Sequence, residues 1–142
     1  MTITKIPVVI TVEINVNASI GKVWSYWTEP EHIKKWNNAS PDWHTPAAEN
    51  DLRIGGRFSS TMAAKDGSMS FDFWGVYTTV QTNQKIEYTL GDGRKVKIVF
   101  TEEGKNVKVV EHFEAESENS VDMQKGGWQA IMDNFKKYIE EN

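Results

Sequence analysis

The chain contains no cysteine, so neither a disulfide framework nor a thiolate metal site can form, and a reducing cytoplasm is the expected setting. No apolar run approaches the roughly 20 residues needed to cross a bilayer. The opening stretch MTITKIPVVITVEINV has one early lysine, and its apolar run is broken by Pro7, Thr11 and Glu13. That is unlike the unbroken apolar stretch of a signal peptide, so a soluble protein is expected. Blocks of like charge are missing too: 16 basic against 20 acidic side chains give a formal charge of −4 without clusters. Nucleic-acid affinity needs grouped Lys and Arg, so a nucleic-acid surface is not expected. The three histidines, His32, His44 and His112, are widely separated, and none stands at a metal-ligand spacing such as H-x-x-x-H. Neither a metal nor a cofactor is expected, since Ser nucleophile motifs, phosphate loops and dinucleotide fingerprints are also missing.

What is present is enough apolar material for one core. With 142 residues, 39% hydrophobic and 11% aromatic, the chain can bury roughly two thirds of its unfolded surface as one domain over 1–142. Ile10, Val12, Ile14 and Val16 alternate with Thr11, Glu13 and Asn15, the period of a half-buried strand over 8–16. Asn17-Ala18-Ser19 offers a cap for a short helix carrying Ile20, Val23, Trp24 and Trp27, and Pro30 suits the first turn of a second one with Ile33 and Trp36. Turn signals at Gly55-Gly56, Asp66-Gly67, Gly91-Asp92-Gly93 and Glu103-Gly104 then separate runs rich in Val, Ile, Phe, Tyr and Thr. They predict an antiparallel meander with strands near 43–49, 57–64, 68–81, 85–90, 95–101 and 106–115. Ser120 caps a last helix whose stripe is Val121, Gln124, Trp128, Ile131, Phe135 and Ile139. Gly126-Gly127 inside that helix costs about 1 kcal/mol per glycine against alanine. A close approach of the backbone there, to the sheet rather than to a ligand, is the expectation.

Particular residues carry a resemblance. Val23-Trp24, the stretch from Trp27 through Glu29-Pro30-Glu31 to Trp36, Arg53-Ile54-Gly55-Gly56, Asp66-Gly67, Gly75-Val76-Tyr77 and Gly127-Trp128 stand in one order along nearly the whole chain. In that order they resemble the START-like (SRPBCC) superfamily, in its activator of Hsp90 ATPase homologue 1-like branch. Asn37-Asn38 departs from it, where many members have a second aromatic and a Gly-Pro turn. The resemblance implies an α+β helix-grip (START/Bet v 1-like) fold. In it a seven-stranded curved antiparallel sheet wraps around a long C-terminal helix, with two short helices after the first strand.

A helix laid across a curved sheet leaves a volume between them, and six Trp, six Phe, four Tyr and five Met are available to fill or line it. The candidate lining is Phe58, Met62, Tyr88, Trp128 and Met132, with Trp43 and His44 at the second strand. Each of these also reads as plain core packing. Methionine adapts its shape to flexible apolar ligands. His112 follows Glu111 in a strand, so only one of the two can look inward; His112 would bind a ligand's polar end, or else sits hydrogen-bonded on the outer face. In the long strand, Phe71, Phe73 and Tyr77 share one face and Trp74, Val76 and Val80 the other, with Gly75 the candidate for a bulge that swaps them.

Three functions are weighed. The resemblance implies a binder of an apolar small molecule, lipid-like, aromatic or polyketide-like, in the cavity. It also leaves room for a chaperone partner, since the branch is named for a co-chaperone of Hsp90, although the companion N-terminal domain of that co-chaperone is not expected here. An enzyme of cyclase, hydrolase or stress-response type would need His112, His44, Glu87 or Glu111 in the cavity with a perturbed pKa; no catalytic residue is assigned.

Overall fold

The computed structural model describes residues 7–142; the part of the opening stretch over residues 1–6, read as unlike a signal peptide, lies outside them. Strand β1 (Val9–Val16) leads to helices α1 (Ile20–Thr28) and α2 (Pro30–Trp36). Six strands follow, β2 (Trp43–Asn50), β3 (Arg57–Ala64), β4 (Ser70–Gln81), β5 (Lys85–Leu90), β6 (Lys95–Glu103) and β7 (Asn106–Glu114), and α3 (Val121–Glu141) closes the chain. The sheet order is β1-β7-β6-β5-β4-β3-β2, with every neighbouring pair antiparallel. It curls into a half-barrel gripping α3, which is the helix-grip fold.

The local causes are those of the sequence. Along β1, burial alternates strictly, so that Ile10, Val12, Ile14 and Val16 face the core, each contributing about 1.5–3 kcal/mol by leaving water. Ser19 and Ser120 accept hydrogen bonds from the third residue beyond them, Lys22 N and Met123 N, capping α1 and α3. Pro30 occupies the first turn of α2, where a missing N–H costs nothing.

Helix α3 packs on β1 and against α1 and α2. It also closes the free edge of β1. The Gln129 amide accepts from Glu13 N and donates to Glu13 O, Lys136 donates to Asn15 O, and Glu140 accepts from Asn17 N. Polar groups at an unpaired sheet edge would otherwise template another strand.

Three local expectations are corrected. Val121 does not belong to the buried stripe; it is the first residue of α3 and 45% exposed, the buried face of the helix beginning at Gln124. No atom lies within 4 Å of where a Cβ would stand on Gly126 or Gly127, so neither glycine accommodates a close approach. The bulge in β4 falls at Thr78, between the Tyr77–Tyr88 and Thr79–Glu87 pairs, rather than at Gly75. Phe71, Phe73 and Tyr77 therefore look inward together, while Val80, beyond the bulge, joins the core side opposite Ile86.

Candidate functional site

Gly75 faces inward, and a Cβ there would stand 2.9 Å from the Phe58 ring, so only glycine lets that ring lie flat along the concave face. Phe58 then meets Tyr88 edge-on at 4.6 Å and Tyr77 at 5.4 Å. On the helix side, Trp128 stacks on Phe113 at 3.9 Å, only 9° from parallel, and meets Phe73 edge-on. Trp27 and Trp36 pack on each other at 4.9 Å and both touch Phe135, while the Trp36 indole N–H donates to Tyr26 O. These rings are held by one another, so they cannot collapse into the space they surround.

That space is a cavity of about 230 Å³ between the sheet, α1–α2 and α3. Its walls are mostly apolar, and Phe71, 51% exposed, stands at its rim. Polar groups enter at few places. The Tyr77 hydroxyl donates to Asn50 Oδ1, and Asn50 Nδ2 donates to Thr28 O, a chain tying β4 to β2 and to the end of α1. Burial raises the Tyr77 hydroxyl pKa, with the Asn50 bond opposing it, and raises that of Tyr88 well above the usual phenol value. Neither phenol ionises at neutral pH.

The outlier is Glu111. In β7, Val107, Val109, Glu111 and Phe113 all face inward, and Glu111 is flanked across the sheet by Val12 and Ile98. It is 5% exposed and lines the cavity, and no hydrogen bond or charged neighbour contributes to its titration. Burial in these apolar surroundings pushes its pKa up to about 8. Among the described residues, no Lys, Arg or His contributes to the lining.

Of the eight residues expected at the site, the structure brings Phe58, Met62, Tyr88 and Trp128 to the cavity. The other four lie elsewhere. Met132 is sealed inside the core. Trp43 and His44 line a shallow outer groove between the α2–β2 connection and α3, with Trp43 tilted against Phe71. His112 points to the outer face and bonds Thr11 Oγ1 through Nδ1 at 2.8 Å, because its neighbour Glu111 takes the inward position. Glu87 also lies on the outer face, 3.7 Å from Lys85. Trp27, Trp36, Asn50, Tyr77 and Ile131 join the lining without having been singled out. Among the described residues, no group of three or more metal-binding side chains converges, and no helix is long and apolar enough to cross a membrane.

Comparison with known proteins agrees with this architecture. Residues 17–140 match the family described as activator of Hsp90 ATPase homolog 1-like protein. The chain belongs to that family. Within it, the solution structure of an AHSA1-like protein from Aeromonas hydrophila shares 42% identity over 94% of this chain and 93% of its own, with a TM-score of 0.89. A solution structure from Cytophaga hutchinsonii is 61% identical over 93% and 92% of the two chains, at a TM-score of 0.81. A crystal structure from Nitrosomonas europaea, 17% identical over 94% of each chain with a TM-score of 0.80, shares the fold. No curated protein matches the sequence significantly. The activator of Hsp90 ATPase homolog 1-like assignment accounts for the helix-grip arrangement and for the order of motifs from Trp24 to Trp128.

Proposed function

We propose that the chain, as one domain over residues 1–142, binds an apolar small molecule in the cavity between the sheet and α3. The supporting observation is the cavity itself: about 230 Å³ walled by mutually braced aromatic rings, with few polar groups. This is below the roughly 300–1,000 Å³ of drug-sized sites, so a compact aromatic or polyketide-like ligand fits better than a long acyl chain. The chaperone-partner reading has less support. The large exposed apolar side chains are divided among the start of β1, the loop before β3, the β3–β4 hairpin, the middle of β4 at Val76 and the start of α3. Enzymatic chemistry has the single buried carboxyl of Glu111 to draw on, with no base, nucleophile or orienting partner bonded to it.

Native mass spectrometry before and after organic extraction tests this, followed by thermal-shift screening against flavonoids, aromatic polyketides, sterols and fatty acids. A co-purifying apolar species, or a rise in Tm at saturating ligand, is expected because a ligand bound only to the native state stabilises it. An empty protein with no shift across the panel would overturn the proposal and leave a protein partner as the stronger reading.

A further inference from the structure

Among the described residues, the buried carboxyl that lines the cavity is that of Glu111, and no hydrogen bond or counter-charge contributes to its titration. A buried carboxylate left alone is costly, and a ligand that supplies the missing positive charge recovers that cost. Resting on the carrier reading, we propose that the cavity selects apolar molecules whose polar end is a protonated amine, seated on Glu111, and rejects those ending in a carboxylate.

The groups around Glu111 allow no other source of selectivity by charge. Tyr88 from β5 and Tyr77 from β4 look into the same space as neutral phenols, and Glu49 from β2 adds a second carboxylate at the rim. Helices α1, α2 and α3 contribute no ionisable group to the lining, and β1 and β6 contribute no lining residue. Arg94 is the cation whose charge reaches Tyr88, but its guanidinium is held by Asp92 at 2.7 Å. A ligand carboxylate would therefore meet only negative or neutral groups, and like charges in a low-dielectric site repel strongly. An ammonium group would gain a charge-assisted hydrogen bond to Glu111, with the Tyr88 hydroxyl able to accept a second.

The pH dependence follows from the same carboxyl. Below about pH 8, Glu111 is mostly protonated, and an incoming ammonium must displace that proton. Amine affinity therefore rises about tenfold per pH unit up to that point and then levels off, until the amine itself deprotonates near pH ~10. A carboxylate ligand accepts a hydrogen bond from protonated Glu111 at low pH and is repelled once Glu111 ionises.

Calorimetry with three nearly isosteric probes tests this: 2-(1-naphthyl)ethylamine, 2-(1-naphthyl)ethanol and 1-naphthylacetic acid, at about pH 6 and about pH 8.5. At the higher pH the amine is expected to bind at least about tenfold more tightly than the acid, with the alcohol between them, and the gap should narrow at the lower pH. Glu111→Gln should bring the amine to the level of the alcohol and remove its pH dependence; where that variant does not fold, the pH series on the parent protein decides. Equal affinities for amine and acid at about pH 8.5, or a gap that survives in Glu111→Gln, would overturn the charge selectivity while leaving the carrier reading standing. Failure of all three probes would overturn both.

Discussion

Glu111 and His112 are consecutive in β7 and face opposite solvents: the carboxyl looks into the apolar cavity, while the imidazole lies on the outer face, bonded to Thr11. The inward residue therefore carries a linkage to stability. Its folded pKa of about 8 lies above the ordinary value of 4.5, so between these limits the folded state binds more protons than the unfolded state. Stability attributable to this group is greatest below about pH 4.5, falls as pH rises towards 8, and is level beyond. Glu111→Gln should flatten that fall, and at about pH 8.5 should exceed the parent in stability by on the order of a few kcal/mol. Urea midpoints across the range check this; a parallel pH profile in both proteins would contradict it.

Trp128→Ala removes the stack on Phe113 and the edge contact with Phe73. Fully buried aromatic truncations cost about 3–5 kcal/mol; with Trp128 only partly buried, a loss of about 2–3 kcal/mol is expected from chemical denaturation. Because Trp128 bounds the cavity, the variant should also bind the naphthyl alcohol more weakly.

Gly126→Ala and Gly127→Ala should each stabilise the protein. The new methyl meets nothing within 4 Å, and both positions are helical, so the helix-propensity gain of roughly 0.5–1 kcal/mol is not offset by a clash. Paired thermal melts should show Tm rising for each; a fall in either would mean that α3 needs freedom at that turn.

Gly56→Ala is the opposite case. Its Cβ would stand 2.0 Å from Asp51 O and 3.0 Å from Arg53 O, both backbone atoms that cannot swing aside. The same turn holds Gly55 N to Tyr77 O and Tyr77 N to Gly56 O, so displacing it pulls on β4 beside the cavity. A loss of about 2 kcal/mol or more is expected in urea titration, in line with strain at a conformationally restricted site.

The fold was readable where period and punctuation agreed. Ile10 to Val16, the Gly-marked turns and the serine caps each state their structure locally, and the motif order from Trp24 to Trp128 pointed to the right family. The site was less readable, for reasons of geometry. His112 and Glu111 could not be ranked as alternatives without extending the alternation Val107, Val109, Glu111, Phe113, which sets a carboxylate in an apolar row and was the available signal. Trp43 and His44 open β2 at the sheet edge, where curvature carries them away from the cavity, a long-range effect without local trace. The bulge at Thr78 had no glycine to announce it, and Met132 shares the helix with Trp128 yet is sealed in the core.

The pairing of β1 with β7 sets an order on how the chain can assemble. Every other strand meets its neighbour through a hairpin, whereas Val9 waits for Glu114 and Val16 for Val107. During synthesis, the apolar row Ile10, Val12, Ile14 and Val16 is made before every other strand of the sheet, yet it finds its strand partner only after the last of them has followed. Closing so long a loop is slow, and an uncovered apolar strand invites association with other chains. Substitutions that weaken β7 should therefore lower soluble yield more than their effect on equilibrium stability would suggest.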